Sequence, residues 1–248
     1  MKTDHNEEET KDVLLGDEKL LSLNNSGIKK GRKTIKNKIQ FQITLNEEQK
    51  RIKTDALQDD ISVFVGKAGS GKTLLATQIA LECLFYREVE RIIITRPTVS
   101  NEDLGFLPGN IKEKMDPWVS PIQANMFQLY SKQKIEKLMN DDIIEIAPIS
   151  FLRGRTFVNA CVIVDESQNV TKAQMEMILS RLGMNSKMIL TGDISQIDLK
   201  QKKDSGLPYL FNMNGKIEGL GVYELKTNHR HPIVDSILKY FEENKTEK

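Results

Sequence analysis

One octapeptide carries phosphate chemistry in its spacing. Gly66-Lys67-Ala68-Gly69-Ser70-Gly71-Lys72-Thr73 matches G-x-x-x-x-G-K-[ST], and each fixed position has a physical reason. The glycines let the loop turn so that backbone N–H groups converge on phosphate oxygens, and the dipole of a following helix adds to that field. Lys72 then reaches the β- and γ-phosphates, and the Thr73 hydroxyl is placed to ligand Mg²⁺. Gly66, Ala68, Gly69, Ser70 and Gly71 complete a candidate site for ATP. A second signal is Cys161-Val162-Ile163-Val164-Asp165-Glu166, an apolar run that ends in adjacent carboxylates. Asp165 can hold the metal through its waters, while Glu166 can orient and deprotonate an attacking water. That pairing favours hydrolysis over phosphoryl transfer to a bound metabolite, and no arginine-rich lid of a small-molecule kinase is evident. The third signal is Gly192-Asp193-Ile194-Ser195-Gln196. Gln196 can donate to a γ-phosphate oxygen and accept from the water, or it and Asp193 can be polar residues of an ordinary loop.

For these groups to meet, each must leave the carboxyl end of a strand in one mainly parallel sheet. The sequence supplies such strands. Ile61–Val65, Ile92–Thr95, Ile143–Ala147, Cys161–Val164, Met188–Thr191 and Val222–Leu225 are short continuous runs rich in Ile and Val, the pattern of strands covered on both faces. Helices fit between them. One starts near Lys72; another is expected over residues 171–182, where Thr171 and Gln174 form a capping-box pattern and Met175, Ile178, Leu179 and Leu182 make an apolar stripe. Residues 106–140, punctuated by Pro108, Pro117 and Pro121, read as a helical insertion. The expected fold class is α/β, a mainly parallel sheet flanked by helices.

Composition removes several other classes. The chain has 248 residues, ample for its own core, with 36 Lys and Arg against 35 Asp and Glu. Cys83 and Cys161 are far apart in apolar stretches, so neither a disulfide framework nor a CxxC metal site is available. The start lacks a signal-peptide core and no segment is an apolar span, so a cytoplasmic protein is expected. Charge is not evenly spread. Residues 1–18 hold seven acids against Lys2 and Lys11, and Lys29, Lys30, Arg32, Lys33, Lys36 and Lys38 follow with no acid among residues 29–38. Residues 1–40 are therefore expected to be a charged tail without fixed structure, either solvated or tracking nucleic-acid phosphates, ahead of an ATPase domain over residues 41–248.

An ordered set of further runs carries a family resemblance. Thr95-Arg96-Pro97-Thr98-Val99, Leu104-Gly105-Phe106-Leu107-Pro108-Gly109, Asp116-Pro117-Trp118, Phe151-Leu152-Arg153-Gly154-Arg155-Thr156, Asp165-Glu166-Ser167-Gln168-Asn169 and Leu190-Thr191-Gly192-Asp193, together with the phosphate loop, resemble the PhoH family across residues 44–235. Ser167 stands where that family more often has Ala, and Trp118 where Tyr is common. The family is similar to the first motor domain of superfamily 1 helicases. The resemblance implies a RecA-like P-loop NTPase core, ATP hydrolysis with Mg²⁺ and association with single-stranded RNA, or DNA. It also implies a homo-oligomer, with a ring hexamer favoured. No fused nuclease domain is expected in residues 1–40, hence no ribonuclease activity.

The same resemblance assigns roles to particular residues. Gln49 stands where related motors read adenine, by an amide that pairs with the N6 and N7 edge; the alternative is a polar helix-surface residue. Thr95, Arg96 and Thr98 stand where related motors touch the nucleic-acid backbone, and Arg153, Arg155 and Thr156 follow another strand. Arg153 and Arg155 can equally pair with acids at an interface. Arg230, in Asn228-His229-Arg230-His231-Pro232, is a candidate arginine for the γ-phosphate in its own subunit or across an interface. His229 and His231 lack a third ligand at metal spacing and are expected to be loop residues. Two functions fit: an RNA-coupled ATPase motor, with unwinding as a further step, and a nucleotide-gated assembly switch that binds RNA or protein without unwinding.

Overall fold

The six Ile- and Val-rich runs are the six strands of one sheet: β1 Ile61–Val65, β2 Arg91–Arg96, β3 Ile144–Pro148, β4 Ala160–Val164, β5 Lys187–Gly192 and β6 Leu220–Glu224. This computed structural model describes residues 41–97 and 122–244, with residues 39 and 120 besides. The strand order is β3-β2-β4-β5-β1-β6, and all of these pairings are parallel. Parallel neighbours require crossover connections, which lay helices on both faces and bury the strands twice over. That is why the inner strands β2, β4 and β5 read as apolar runs through their centres, whereas the edge strands β3 and β6 carry Glu145 and Glu224. The phosphate-loop strand β1 is separated from the Asp165 strand β4 by β5, and the fold is that of a RecA-like P-loop NTPase.

Alternation survives in the choice of core. Phe64, Ile92, Ile94, Cys161, Ile163 and Ile189 join one cluster with the helix Lys72–Phe85, whereas Val63, Ile93, Val162, Val164, Met188 and Leu190 join a second on the other face. A fully buried Leu or Ile in either cluster contributes about 1.5–3 kcal/mol. The helix Lys72–Phe85 is buried without interruption from Leu75 to Cys83, so it lacks the polar face of a surface helix. Its cover comes from the helix Glu47–Ala56 and from the insertion, where helical residues 122–129 and the helix Lys132–Asn140 add Ile122, Met126, Leu129 and Ile135 to the first cluster. Cys83 and Cys161 are free and buried there, and burial pushes the Cys161 thiol up to about 12.

Strand ends shift by one or two residues from expectation, and two differences have a visible cause. The Thr171–Gln174 capping box is formed, but its helix runs only over Lys172–Leu179; the chain then turns so that Leu182 bridges Phe157 and still reaches the second core. Strand β6 stops at Glu224, and Leu225 instead donates its N–H to Val65 O at 2.7 Å as the chain leaves the sheet. The charged tail over residues 1–38, Thr98, and the Pro108, Pro117 and Pro121 part of the insertion lie outside the described residues. Among the described residues no helix is long and apolar enough to cross a membrane.

Candidate functional site

Register puts three strand ends level. Val65 pairs with Gly192 across β1 and β5, and Val164 pairs with Leu190 across β4 and β5. Gly66, Asp165 and Asp193 therefore emerge at one edge, around a cleft of about 250 Å³. Its lining includes Lys72, Thr73, Asp165, Glu166 and Gln196, so the main sequence candidates are brought together.

The phosphate loop holds itself open. Gly69 and Gly71 have φ of +89° and +83°, a region that costs a side-chain-bearing residue strain. Gly71 directly precedes the helix Lys72–Phe85, so the helix's unpaired N–H groups face the cleft. Lys72 Nζ donates to Gly66 O at 2.7 Å and to Lys67 O at 3.0 Å, curling the loop round its own ammonium. Burial lowers the Lys72 pKa from the ordinary lysine value, while the carboxylates of Asp193, Glu166 and Asp165 oppose that shift. Ser70 differs from its neighbours: its Oγ is buried without a hydrogen-bond partner beside the Gly66 Cα, so only its main chain is available to a phosphate.

The metal candidates already touch. Thr73 Oγ1 donates to Asp165 Oδ1 at 2.8 Å, and Thr191 Oγ1 donates to the same oxygen at 2.6 Å. A hydroxyl and a carboxylate beside a phosphate cradle suit Mg²⁺, which keeps several waters and uses few protein ligands. The residues present therefore fit a Mg·nucleotide. Glu166 adopts the left-handed conformation at φ 52°, a strained backbone for a non-glycine residue. Gln168 Nε2 donates to its Oε2 at 2.7 Å, and Arg96 Nη2 lies 3.4 Å from its Oε1. Both carboxylate oxygens are thus held, one by Gln168 and one by Arg96, at the wall of the cleft.

The rim is closed by a strap after β6. Glu48 accepts the N–H groups of Lys226 and Thr227 at 3.1 Å each, and His229 N donates to Gly69 O at 3.0 Å. Arg230 lies across its own phosphate loop, where a Cβ on Gly69 would meet Arg230 Cγ at 2.6 Å. Gln49 is buried against Gly71 rather than displayed on a helix surface.

The nucleic-acid candidates fare differently. Thr95 is fully buried, which takes its side chain away from any phosphate; its carbonyl accepts Asp165 N at 2.8 Å. Arg96 turns toward Glu166. Arg155 makes two 2.5 Å bonds to Glu145 on the edge strand β3, with its guanidinium over the Phe157 ring. That pairing lowers the Glu145 pKa and raises that of Arg155, so the acid-pairing alternative describes Arg155, within one chain. Arg153 and Thr156 remain exposed.

Four residues of the site, Gln168, Asp193, Thr191 and Asn125, receive no definite role from the sequence, although the first three lie in runs that carry the family resemblance. Gln168, nearly fully buried, donates to Glu166 and accepts from Asp193 N at 3.1 Å, tying Glu166 to the β5 turn. Asp193 in turn accepts Ala68 N at 2.9 Å, tying that turn to the phosphate loop. Thr191 lies in the run Leu190-Thr191-Gly192-Asp193 of the family resemblance, where the sequence alone gives it no role. Asn125 lines the cleft from helical residues 122–129, and nothing in its local pattern marks it.

Comparison with known proteins gives one consistent result. The family described as "PhoH-like protein" matches residues 42–242. A PhoH-like protein of Synechocystis sp. is 44% identical over 186 residues, covering 74% of this chain and 57% of that protein. One from Bacillus subtilis is 45% identical over 188 residues, covering 75% and 59%. This chain thus spans under three fifths of the length of these relatives. Among solved structures, the Pif1 helicase from Candida albicans aligns with 81% of this chain and 43% of its own at 12% identity and a TM-score of 0.38, too slight a likeness to add to the strand order.

Proposed function

The chain belongs to the PhoH family, and from that premise we propose that it binds Mg·ATP, hydrolyses it and couples the cycle to single-stranded RNA. The observation that carries the hydrolysis is the Glu166 carboxylate, held in the cleft by left-handed backbone and by Gln168, one residue from the Thr73–Asp165 pair. In this reading the loop N–H groups and Lys72 hold the phosphates, and Thr73 and Asp165 hold the metal. Glu166 takes the proton of the attacking water, and Gln196 on the cleft wall senses the γ-phosphate. Bound Mg²⁺ would neutralise charge between the β- and γ-phosphates. Arg230 is supplied in cis, because it already lies on its own phosphate loop.

RNA coupling draws support from the turn after β3. Ile149 and Leu152 anchor it in the second core, so Phe151, 52% exposed, and Arg153 are held outward. An exposed aromatic beside an arginine suits base stacking and phosphate contact without sequence preference, on RNA or single-stranded DNA. The assembly-switch reading has its own support in the helix Pro232–Glu243, where Ile233, Ile237, Tyr240 and Phe241 form an exposed apolar stripe. We assign that stripe to a second copy of the chain in a homo-oligomeric ring, because it follows directly on the strap that carries Arg230. Phosphate release measured with and without single-stranded RNA, beside a sizing run, separates the two. A several-fold rise in an oligomeric peak supports the motor; turnover indifferent to RNA leaves the switch.

A further inference from the structure

Strand β2 stands between the turn that reaches outward and the carboxylate of the cleft. In the order β3-β2-β4, Arg96 at the end of β2 pairs on one side with Pro148, the residue directly before the turn Ile149–Leu152. On the other side Thr95 pairs with Val164, so Arg96 comes level with Asp165 and beside Glu166. Its guanidinium is turned to this second neighbour, with Nη2 3.4 Å from Glu166 Oε1. That is one long contact from a group that carries five N–H donors, and both side chains are about one-third exposed. Arg155, by contrast, gives two 2.5 Å bonds to Glu145. The Arg155 pair is a clamp, whereas the Arg96 pair yields to a better anion. Nor does Glu166 need Arg96 to hold its place, because left-handed backbone and the Gln168 bond to Oε2 already fix it. What Arg96 adds is a cation on Oε1, which favours the ionised carboxylate and so opposes the arrival of a proton there.

On the reading of RNA-coupled hydrolysis above, we infer that Arg96 is a brake on Glu166, and that a backbone phosphate of single-stranded RNA releases it. Phe151 and Arg153 face outward from the turn that follows Pro148, and Arg96 stands one strand spacing, about 4.8 Å, from Pro148. A strand lying over that turn therefore carries its phosphates past Arg96. A phosphate offers the guanidinium two parallel charge-assisted bonds in place of one long one. Arg96 turns outward to it, and Oε1 is left to take the proton of the attacking water as the water's oxygen bonds to the γ-phosphorus and ADP leaves. One side chain cannot serve both anions at once, so RNA binding and water activation are linked through a single residue. Arg96 acts through Glu166 and is a positioning residue for the water step.

Phosphate release by the full chain, with and without single-stranded RNA, tests this in Arg96→Ala and in Arg96→Met, which keeps an apolar stem where the smaller side chain fails to fold. Without RNA, either variant should turn over roughly two- to fivefold faster than the wild type, the range that a partly exposed ion pair supports. RNA should then add little, so the ratio of stimulated to unstimulated rate falls toward one. Arg96→Lys keeps a cation and should keep the low RNA-free rate. Loss of a merely structural support would slow turnover, so a rise is what marks a brake. RNA-free turnover of both uncharged variants at or below that of the wild type overturns the inference, as does their stimulation by RNA to the full wild-type ratio. Wild-type turnover indifferent to RNA would overturn the RNA coupling and this inference with it. No phosphate released by the wild type, with RNA or without, would overturn the hydrolytic reading itself.

Discussion

The ends of β1, β4 and β5 and the ends of β2 and β3 lie on the same sheet edge, yet they are built in opposite ways. At the first three, polar groups from different strands meet: Thr73 and Thr191 on Asp165, Asp193 on Ala68, Gln168 on both Glu166 and Asp193. At the other two, among the described residues, polar groups are turned inward or paired within the chain, with Thr95 buried, Arg96 on Glu166 and Arg155 on Glu145, while Phe151, Arg153 and Thr156 reach outward. Interlocking side chains fix a geometry that chemistry requires. Solitary exposed groups leave room for a flexible polymer. The lesson is that basic residues after a strand are not interchangeable evidence for nucleic acid: Arg155 is a structural clamp, whereas Arg153 stands exposed.

Substitutions can break that contrast, and the largest effect belongs to Lys72. Lys72→Ala removes the ammonium that two loop carbonyls enclose; turnover should fall by about 10³-fold or more, with nucleotide binding weakened, read by phosphate release and by titration. Gln168→Ala unlocks Glu166 from the β5 turn, so kcat should fall about 10- to 100-fold with KM for ATP little changed. A proportionate change in both constants would instead mark Gln168 as purely structural. Arg153→Ala should weaken RNA binding and reduce the slope of log affinity against log salt by about one, whereas Arg155→Ala should leave that slope unchanged.

The smallest effect is at the clamp. Its Glu145 carboxyl is held below the usual 4.5 by the Arg155 hydrogen bonds, so the stabilisation is present above that value and lost as pH falls through the lower, folded value. Both side chains are about one-third exposed, which limits the pair to roughly 1 kcal/mol or less. Glu145→Gln should cost that much in chemical denaturation at neutral pH, and the gap to wild type should shrink as the pH drops below 4.5. A gap that widened in acid would contradict the clamp.

What the sequence made legible follows the same divide. The strands showed because burial leaves short runs rich in Ile and Val, clearest in the inner strands β2 and β4, and Gly66–Thr73 with Asp165 and Glu166 showed because phosphate and metal chemistry restrict residue type and spacing together. Gln168 and Asn125 were hidden because their roles come from contacts between elements distant in the chain. Thr95 misled because a hydroxyl at a strand end has no local signature for which face it joins. His229 looked like an idle loop residue, since only the fold carries it 180 positions back to Gln49.

The most direct test of the account is Glu166→Gln, followed by free phosphate released from Mg·ATP and by nucleotide retained on the protein. Glutamine keeps the size and the Gln168 neighbourhood but cannot take a proton from water. Turnover should fall by about 10²-fold or more while ATP still binds and stays bound intact. Phosphate release at the wild-type rate would show that Glu166 does not activate the water, and that the hydrolytic assignment of this cleft is wrong.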